Sequence, residues 1–249
     1  MNTSHEQLIS NLEYLKLPEM ISHLDDTINF INKNNLTFTD GLIKLTNHEI
    51  DSKETKMIKA MVKVGAFPHL KEIKDFDFSF QENINKEQII DFTSHRFIHQ
   101  NENIVFLGSS GTGKTHLATS IGISAAKKRM STYFIKTNDL ISQLKKANLE
   151  NRLQDRLRHF TKYKLLIIDE LGYLPIDKED SKLLFQLIDK RYEKRSTIFT
   201  TNISFSSWDE IFKDPIIASA ILDRVLHHAH VIQITGKSYR LKNYFSEEN

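Results

Sequence analysis

One stretch of the sequence decides the fold, and it reads GSSGTGKT at residues 108–115. The apolar run IVFL at 104–107 leads directly into it, and the helix-forming run HLATSIGISAAKK at 116–128 follows it. This spacing matches G-x-x-x-x-G-K-[ST] between a strand and a helix, the setting that a phosphate-binding loop requires. Glycines let backbone N–H groups close around phosphate oxygens, and the N-terminus of the following helix adds positive potential. The pattern predicts a nucleotide site formed by Gly108, Ser109, Ser110, Gly111, Thr112, Gly113, Lys114, Thr115 and His116.

The end of this loop carries the side chains that are expected to act on the nucleotide. Lys114 is placed to meet the β- and γ-phosphates, and Thr115 is placed to ligate Mg²⁺. The alternative is a chance glycine-rich turn, but the flanking strand and helix argue against it. We therefore expect a bound nucleotide with Mg²⁺.

Four further short runs rich in apolar residues follow, separated by helical stretches. They read TYFI at 132–135, LLII at 165–168, TIFT at 197–200 and VIQI at 231–234. Apolar strands that alternate with helices are typical of a parallel sheet covered on both faces. The sequence thus predicts an α/β P-loop fold with five parallel strands.

The first part of the chain has a different texture. Apolar residues recur there at helical intervals, as in Leu8, Leu12 and Leu15, and the first 90 residues hold 10 Lys and Arg against 14 Asp and Glu. An aromatic stretch containing Phe67, Pro68 and three later phenylalanines then follows. We predict a small all-α domain at 1–66 for partners or assembly, an aromatic linker strap at 67–84 and the nucleotide-binding core at 85–249.

Two carboxylates stand at the end of the third apolar run, at Asp169 and Glu170. At the carboxyl end of a strand, Asp169 is placed to hold Mg²⁺, and Glu170 is the natural base to activate an attacking water. An acidic turn after a strand is the alternative interpretation. Together with the phosphate-binding loop, the pair favours hydrolysis.

Two polar residues farther along are candidates for a role in hydrolysis. Asn202 ends the fourth run and can orient the attacking water, although an asparagine at a strand end often only forms a turn. Arg224 lies near the end of an amphipathic helix before the fifth run. In one interpretation it is a surface arginine that pairs with Asp223 or with a helix C-terminus. In the other it is a finger that reaches the nucleotide of a neighbouring subunit.

A basic segment lies between the second and third runs. From Lys145 to Lys164 it contains seven cationic residues and only two acidic residues. Such a stripe attracts phosphates without reading sequence. An ordinary solvated helix is the alternative interpretation. We expect duplex DNA to contact the cations at Lys145, Lys146, Arg152, Arg156 and Arg158.

Other residue clusters favour structural roles. His227, His228 and His230 resemble a metal cluster, but no cysteine and no nearby carboxylate beyond Asp223 accompanies them, which favours a structural or surface role. Trp208 is expected to pack against Phe205 and Phe212 rather than stack on a base.

Composition excludes several classes of protein. Hydrophobic residues are 39% and charged residues 27% of the 249 residues, as in globular chains. The absence of cysteine excludes disulfides, thiolate zinc sites and thiol nucleophiles. No apolar run approaches a membrane span and no secretory signal is visible, so the chain is expected to be soluble and cytoplasmic.

The motifs together resemble an IstB-like ATPase, the AAA+ helper protein of a class of bacterial insertion sequences. The resemblance rests on the phosphate-binding loop, on IDELGYLP at 168–175, on ILDRVLHH at 221–228 and on GKSYRL at 236–241. The second and last of these strings are much more specific than the loop, and the resemblance covers nearly the whole chain.

This resemblance implies an AAA+ core with strand order 5-1-4-3-2, ATP with Mg²⁺ as cofactors, oligomers on double-stranded DNA and cooperation with a cognate transposase. It also implies Asn202 as first sensor and Arg224 as the trans-acting finger. The helical lid of wider AAA+ proteins is missing after residue 234, so Arg240 is a candidate substitute for the second sensor.

Two alternatives remain open at this point. A DnaC-type replicative helicase loader has a similar core and length, although a zinc-thiolate amino-terminal domain is excluded by the lack of cysteine. A nucleotide-switched binding module without hydrolysis is the second alternative. The set of Asp169, Glu170, Asn202 and Arg224 argues against it.

Overall fold

The computed structural model describes residues 3–81 and 83–241. The chain divides into two compact units, Met1–Ala60 and Met61–Asn249. The division falls inside one long helix, a few residues before the end of the helical domain that we predicted at 1–66. The reason is that the residues after 60 pack with the larger unit: the N–H of Phe134 donates to the carbonyl of Gly65 at 2.8 Å.

The smaller unit is helical, as its apolar spacing predicts. Its core consists of Leu12, Met20, Leu24 and Leu45, each at most 8% exposed. The helices are α1 (Thr3–Tyr14), α2 (Pro18–Ser22), α3 (Leu24–Asn34) and α4 (Phe38–Val64), the last of which continues into the larger unit.

The larger unit is built on a five-stranded parallel sheet. The strands are β1 (Asn103–Gly108), β2 (Thr132–Lys136), β3 (Leu165–Leu171), β4 (Ser196–Thr201) and β5 (Ala229–Ile234). Their order is β2-β3-β4-β1-β5, which is the expected 5-1-4-3-2 read from the opposite edge. Because β4 lies between β1 and β3, the phosphate-binding loop, Asp169 and Asn202 lie close together at the carboxyl ends of these three strands.

Helices cover both faces of this sheet, as predicted. Alternate residues of β1 enter separate cores, Val105 on one face and Ile104 and Phe106 on the other, and all are fully buried. The helices are α5 (Lys86–Asp91), α6 (Arg96–His99), α7 (Lys114–Lys127), α8 (Thr137–Leu149), α9 (Leu153–Thr161), α10 (Lys178–Arg191), α11 (Trp208–Phe212) and α12 (Pro215–Leu226).

The aromatic strap belongs to the larger unit. Phe76 is buried in the core beneath α7, and Phe67, Ile73 and Phe78 pack against the same core. The strap contains a short 3₁₀ helix, Ile73–Asp75.

After β5, the described chain continues to Leu241 and ends in the 3₁₀ helix Tyr239–Leu241. No α-helix follows β5 within the described residues, while residues 242–249 of the predicted core lie outside them. Among the helices described, none has both the length and the apolar character to cross a membrane.

Candidate nucleotide site

The loop after β1 adopts backbone conformations that favour glycine. Gly111 has φ 81° and Gly113 has φ 99°, both in the left-handed region. A Cβ atom on Gly113 would also lie 2.5 Å from the ring of Phe76 in the strap. The loop therefore needs glycine at these positions, and the Thr112 hydroxyl closes it by donating to the Ser109 carbonyl at 2.8 Å.

Lys114 opens α7 with its ammonium group turned into the loop. Its Nζ donates to the carbonyl oxygens of Gly108 and Ser109, each at 2.7 Å. Burial lowers the pKa of Lys114, and the nearby Arg240 adds to this effect. The ammonium group therefore lies where phosphate oxygens are expected. Phosphate oxygens can replace the two carbonyl groups that now accept its hydrogen bonds.

Asp169 is at the centre of a hydrogen-bond network at the end of β3. The hydroxyls of Thr115 and Thr200 both donate to its Oδ1, at 2.8 and 2.6 Å. Its side chain is almost completely buried, and this burial raises its pKa while the two hydroxyl bonds oppose the rise. Carboxylate and hydroxyl oxygens are hard donors that suit Mg²⁺, so Asp169 and Thr115 fit the predicted metal role.

Glu170 follows in a left-handed conformation, with φ 59°. The β3–β4 register is irregular between Ile168 and Leu171, and the Glu170 N–H donates to the Thr200 hydroxyl at 2.9 Å. Non-glycine residues in this conformation are uncommon and cluster at functional sites. The left-handed residue thus lies in the irregular part of the β3–β4 pairing.

The Glu170 carboxylate pairs with Lys136, the last residue of β2, at 2.9 Å. Hydrogen bonding to Glu170 raises the pKa of Lys136. Lys136 was not among the site residues predicted from the sequence. The signal available was its position directly after TYFI, because the carboxyl ends of the adjacent parallel strands β2 and β3 meet at one edge.

A cleft of about 550 Å³ joins these groups. Asn202 and Arg240 line it, as does His116, whose Nε2 lies 3.1 Å from the Glu72 carbonyl. Several strap residues form a further wall, which the sequence did not predict, and they are Pro68, His69, Lys71, Asp75, Phe76, Asp77 and Gln81.

The segment after β5 closes the cleft against the loop. The N–H of Tyr239 donates to the Gly111 carbonyl at 2.9 Å. Gln81 of the strap donates to the carbonyl of Lys237 at 2.8 Å, and the Phe80 and Tyr239 rings meet edge to face. Arg240 reaches the cleft from this segment.

Arg224 lies elsewhere, at the end of α12, and does not line the cleft. Its Nε donates to Asp189 of α10 at 2.8 Å, and its guanidinium lies 4.8 Å from the centre of the Phe185 ring. The ion pair of Arg224 is therefore with Asp189 and not with Asp223, which was the partner in the surface-arginine alternative. One chain does not bring Arg224 to its own phosphate-binding loop.

The basic segment is less positive than its composition indicates. Lys145 pairs with Asp180 at 2.9 Å, Arg152 pairs with Glu150, and Arg158 pairs with Asp155. Arg152 is the N-cap residue of α9, and its carbonyl accepts the N–H of Arg156 at 3.2 Å, one helical turn later.

Lys146 is exposed on α8, and Arg156 is half-buried on α9, with its guanidinium 6.0 Å from the centre of the Phe160 ring. Neither has an ion pair among the described residues. Of the five cations expected to contact DNA, these two are therefore the ones without an ion pair among the described residues.

The structure keeps the aromatic residues around Trp208 together but places His230 apart from His227 and His228. Trp208 is fully buried and packs against Phe205 and Phe212, which confirms its structural role. His230 leaves the predicted histidine cluster and pairs with Glu102 at 2.9 Å.

Comparisons with known proteins agree with this architecture. The family model described as IstB-like ATP binding protein matches residues 10–246. The chain is 67% identical over 249 residues to a protein of Bacillus thuringiensis subsp. berliner named as an ATP-binding protein of insertion sequence IS232, with both chains covered completely. It is 40% identical over 228 residues to a protein named as that of insertion sequence IS5376 in Geobacillus stearothermophilus, covering 92% of this chain and 91% of the relative.

Solved structures share the fold at lower identity. The DnaC helicase loader aligns with a TM-score of 0.55 and 23% identity, over 66% of this chain and 96% of the loader. AMPPCP-bound DnaA from Aquifex aeolicus aligns with a TM-score of 0.58 and 17% identity, over 73% of this chain and 56% of DnaA. The phosphate-binding loop, the sheet order and the family match over nearly the whole chain lead to one conclusion: this chain belongs to the IstB-like ATP-binding protein family.

Proposed function

We propose that this chain is a Mg²⁺-dependent ATPase that assembles on duplex DNA and assists a transposase. The observation that carries the ATPase proposal is the network in which Thr115 and Thr200 share the Oδ1 atom of Asp169, directly beside Glu170. A mere binding module has no need for a second carboxylate in a strained conformation at this point.

Each residue of the cleft has a role in the proposed hydrolysis. Lys114 exchanges its two loop carbonyls for phosphate oxygens, and Thr115 with Asp169 holds Mg²⁺. Mg²⁺, when bound, neutralises charge on the β- and γ-phosphates. The Glu170 carboxylate first separates from Lys136. It then accepts the proton of the attacking water.

Two further side chains complete the proposed site. Asn202, at the end of β4, orients the attacking water through its amide. Arg240 lies close enough to Lys114 to influence its pKa, so we assign it the phosphate-sensing role that a lid residue has in wider AAA+ proteins.

The ATPase proposal is tested by comparing Glu170→Gln with Lys114→Ala. Glu170→Gln retains size and hydrogen bonding but lacks the base, so it should bind ATP and lose hydrolysis by a factor of about 100 or more. Lys114→Ala should lose ATP binding itself. Phosphate release and fluorescent-nucleotide binding are measured with and without duplex DNA. Wild-type hydrolysis by Glu170→Gln would refute the assignment of the base.

The proposal of DNA binding rests on the basic segment and on the insertion-sequence relatives. Lys146 and Arg156 have no ion pair among the described residues, so the double change to Ala should weaken duplex binding across unrelated sequences and flatten its salt dependence. Lys145→Ala is the matched control, because Lys145 already pairs with Asp180. If Lys145→Ala has the larger effect, or neither variant has any, the contact lies elsewhere.

The proposal of a shared active site rests on the distance of Arg224 from its own cleft. In a homo-oligomer, Arg224 exchanges Asp189 for the γ-phosphate bound by a neighbour. Mixing Arg224→Ala subunits with Lys114→Ala subunits should restore part of the ATPase activity, because some hybrid interfaces combine an intact finger with an intact loop. Inactive mixtures at every ratio would contradict a shared site.

The smaller unit is proposed to bind the cognate transposase or to aid assembly. Its surface carries Tyr14 at 88% exposure and Phe38 at 79% exposure, and exposed aromatic residues are common in interfaces. Tyr14→Ser and Phe38→Ser should reduce transposase stimulation without changing ATP binding. Full stimulation by both variants would place the partner contact outside these side chains.

A further inference from the structure

A second group of potential ligands lies on the surface between the ends of two elements. Glu193 follows α10, while His227 and His228 lie between α12 and β5. One potential ligand atom from each of these residues lies within 4.8 Å of the other two. The group differs from the cluster that the sequence indicated, because Glu193 takes the place of His230.

The distances within this group are close to those of a metal site. The Oε1 atom of Glu193 lies 3.8 Å from Nδ1 of His227 and 3.5 Å from Nε2 of His228. Donor atoms around a tetrahedral zinc ion are about 3.3 Å apart, given metal–ligand distances near 2.0–2.1 Å. The two carboxylate–imidazole distances are within about 0.5 Å of this spacing, and rotation of the exposed side chains can close the remaining difference.

The donor chemistry identifies the class of ion. Two imidazole nitrogens and one carboxylate oxygen suit Zn²⁺ and related first-row transition metals, whereas Mg²⁺ prefers oxygen ligands. All three side chains are about half exposed, so water can complete the coordination. The site is therefore chemically distinct from the cleft around Asp169.

Glu193 lies in the turn that ends α10, where the N–H groups of Lys194 and Arg195 both donate to the Arg191 carbonyl. Its φ of 57° is in the left-handed region, where glycine and asparagine are the usual residues. The side chain reaches both histidines, which themselves lie with ring centres 3.9 Å apart. Two imidazoles therefore face one carboxylate at the protein surface, which is the arrangement that a shared metal ion requires.

We propose that Glu193, His227 and His228 form a binding site for a divalent transition metal of the Zn²⁺ class, with water in the remaining position. The ion ties the end of α10 to the end of α12. These are the two helices joined by the ion pair of Arg224 and Asp189, so the site lies beside the proposed finger.

Zinc titration of the full-length protein in excess Mg²⁺ tests this proposal. Excess Mg²⁺ occupies the oxygen donors of the cleft but competes poorly for imidazole. Isothermal titration calorimetry should give one Zn²⁺ per chain for the wild type. Glu193→Gln and His228→Ala should each weaken binding at least about tenfold, since each removes one of three ligands.

Two further variants make the test specific. His230→Ala is the matched control, because His230 also pairs with a surface carboxylate but lies outside the group, and it should bind Zn²⁺ like the wild type. Tyr192→Phe removes the hydroxyl that lies 2.6 Å from Nδ1 of His227, so it should bind as tightly as the wild type or more tightly.

Several outcomes would overturn the proposal. They are absence of Zn²⁺ binding by the wild type, unchanged binding by both Glu193→Gln and His228→Ala, or an equal loss in His230→Ala, which would indicate scattered binding to surface histidines. A tenfold loss in Tyr192→Phe would assign the ion to the tyrosine hydroxyl instead. Circular dichroism melts verify that each variant is folded.

Discussion

Replacing Thr200 by valine removes one hydroxyl from the middle of the nucleotide cleft and leaves the shape of the side chain almost unchanged. This hydroxyl donates to Asp169 at 2.6 Å and accepts the N–H of Glu170 at 2.9 Å. Thr200 is 1% exposed, so water cannot replace it. A bond to a charged group contributes about 1.5–3 kcal/mol, and an unpaired buried N–H costs about 1–3 kcal/mol. Because such neighbouring effects do not add fully, we expect Thr200→Val to lower the free energy of unfolding by about 3 kcal/mol.

The same variant should change the pH dependence. Burial raises the pKa of Asp169 above 3.8, and the Thr200 bond opposes this rise, so Thr200→Val raises the pKa further. A carboxyl with a raised pKa in the folded state stabilises the fold fully below its unfolded pKa and loses that contribution as pH rises through the folded value. The stability deficit of Thr200→Val should therefore be larger at neutral pH than at acid pH. The acid limb of ATP hydrolysis should move to higher pH.

Urea unfolding followed by circular dichroism measures the stability difference. Thr200→Ser is the first control, because it keeps the hydroxyl and should lose less stability. Thr201→Val is the second, because Thr201 is equally buried on the same strand but its hydroxyl contacts only Ile203. If Thr200→Val matches Thr201→Val at every pH and the acid limb of hydrolysis stays in place, Thr200 does not organise the carboxylates.

Three further predictions concern the same cleft. Lys136→Met should raise basal phosphate release by at most about fivefold, since its pair with Glu170 is half exposed and such pairs contribute about 0–1 kcal/mol; a fall in the rate would show that Lys136 assists catalysis. Asp169→Asn keeps an acceptor for both hydroxyls but removes a buried charge, so the thermal midpoint of the variant at neutral pH should rise. Its Mg²⁺-dependent hydrolysis should be lost. A lower midpoint would contradict this prediction. Gly113→Ala places a Cβ at φ 99° and 2.5 Å from the Phe76 ring, so urea denaturation should show a loss of at least about 2 kcal/mol, and equal stability would contradict the loop geometry.

The framework of the site could be predicted from local sequence. A strand followed by GSSGTGKT is a contiguous signal, and a strand that ends in Asp169 and Glu170 is another. The strand order came from the family resemblance, and the sheet confirms it. Asn202 then reaches the cleft because β4 lies between β1 and β3.

The partners of these residues could not be predicted in the same way. Lys136 and Glu170 are separated by 34 positions, and their contact depends on the register of β2 and β3 and on the left-handed turn at Glu170. Glu193 likewise reaches His227 across 34 positions, so the carboxylate that we did not find near the histidines comes from another element. Spacing along the chain carries no information about such pairs.

The role of the strap illustrates a further limit. Phenylalanines at alternating positions predict an extended segment, but their spacing does not say what they cover. In the structure, Phe76 lies against Gly113, so the strap and the loop depend on each other for their shape.

The hydrogen bond between Gln81 and Lys237 has a consequence for the order of folding. It joins residues 156 positions apart, and that between Asn83 and Thr235 spans 152. Contacts of such high contact order require loop closure before they contribute energy, so they are expected to form late. The sheet and its helices can therefore reach native structure while the nucleotide cleft is still open, and a ligand that contacts both ends would favour this last step by mass action. In pulse-labelling hydrogen exchange, the amide of Tyr239 should gain protection after the amides of β1, and the interval should shorten when ATP is present.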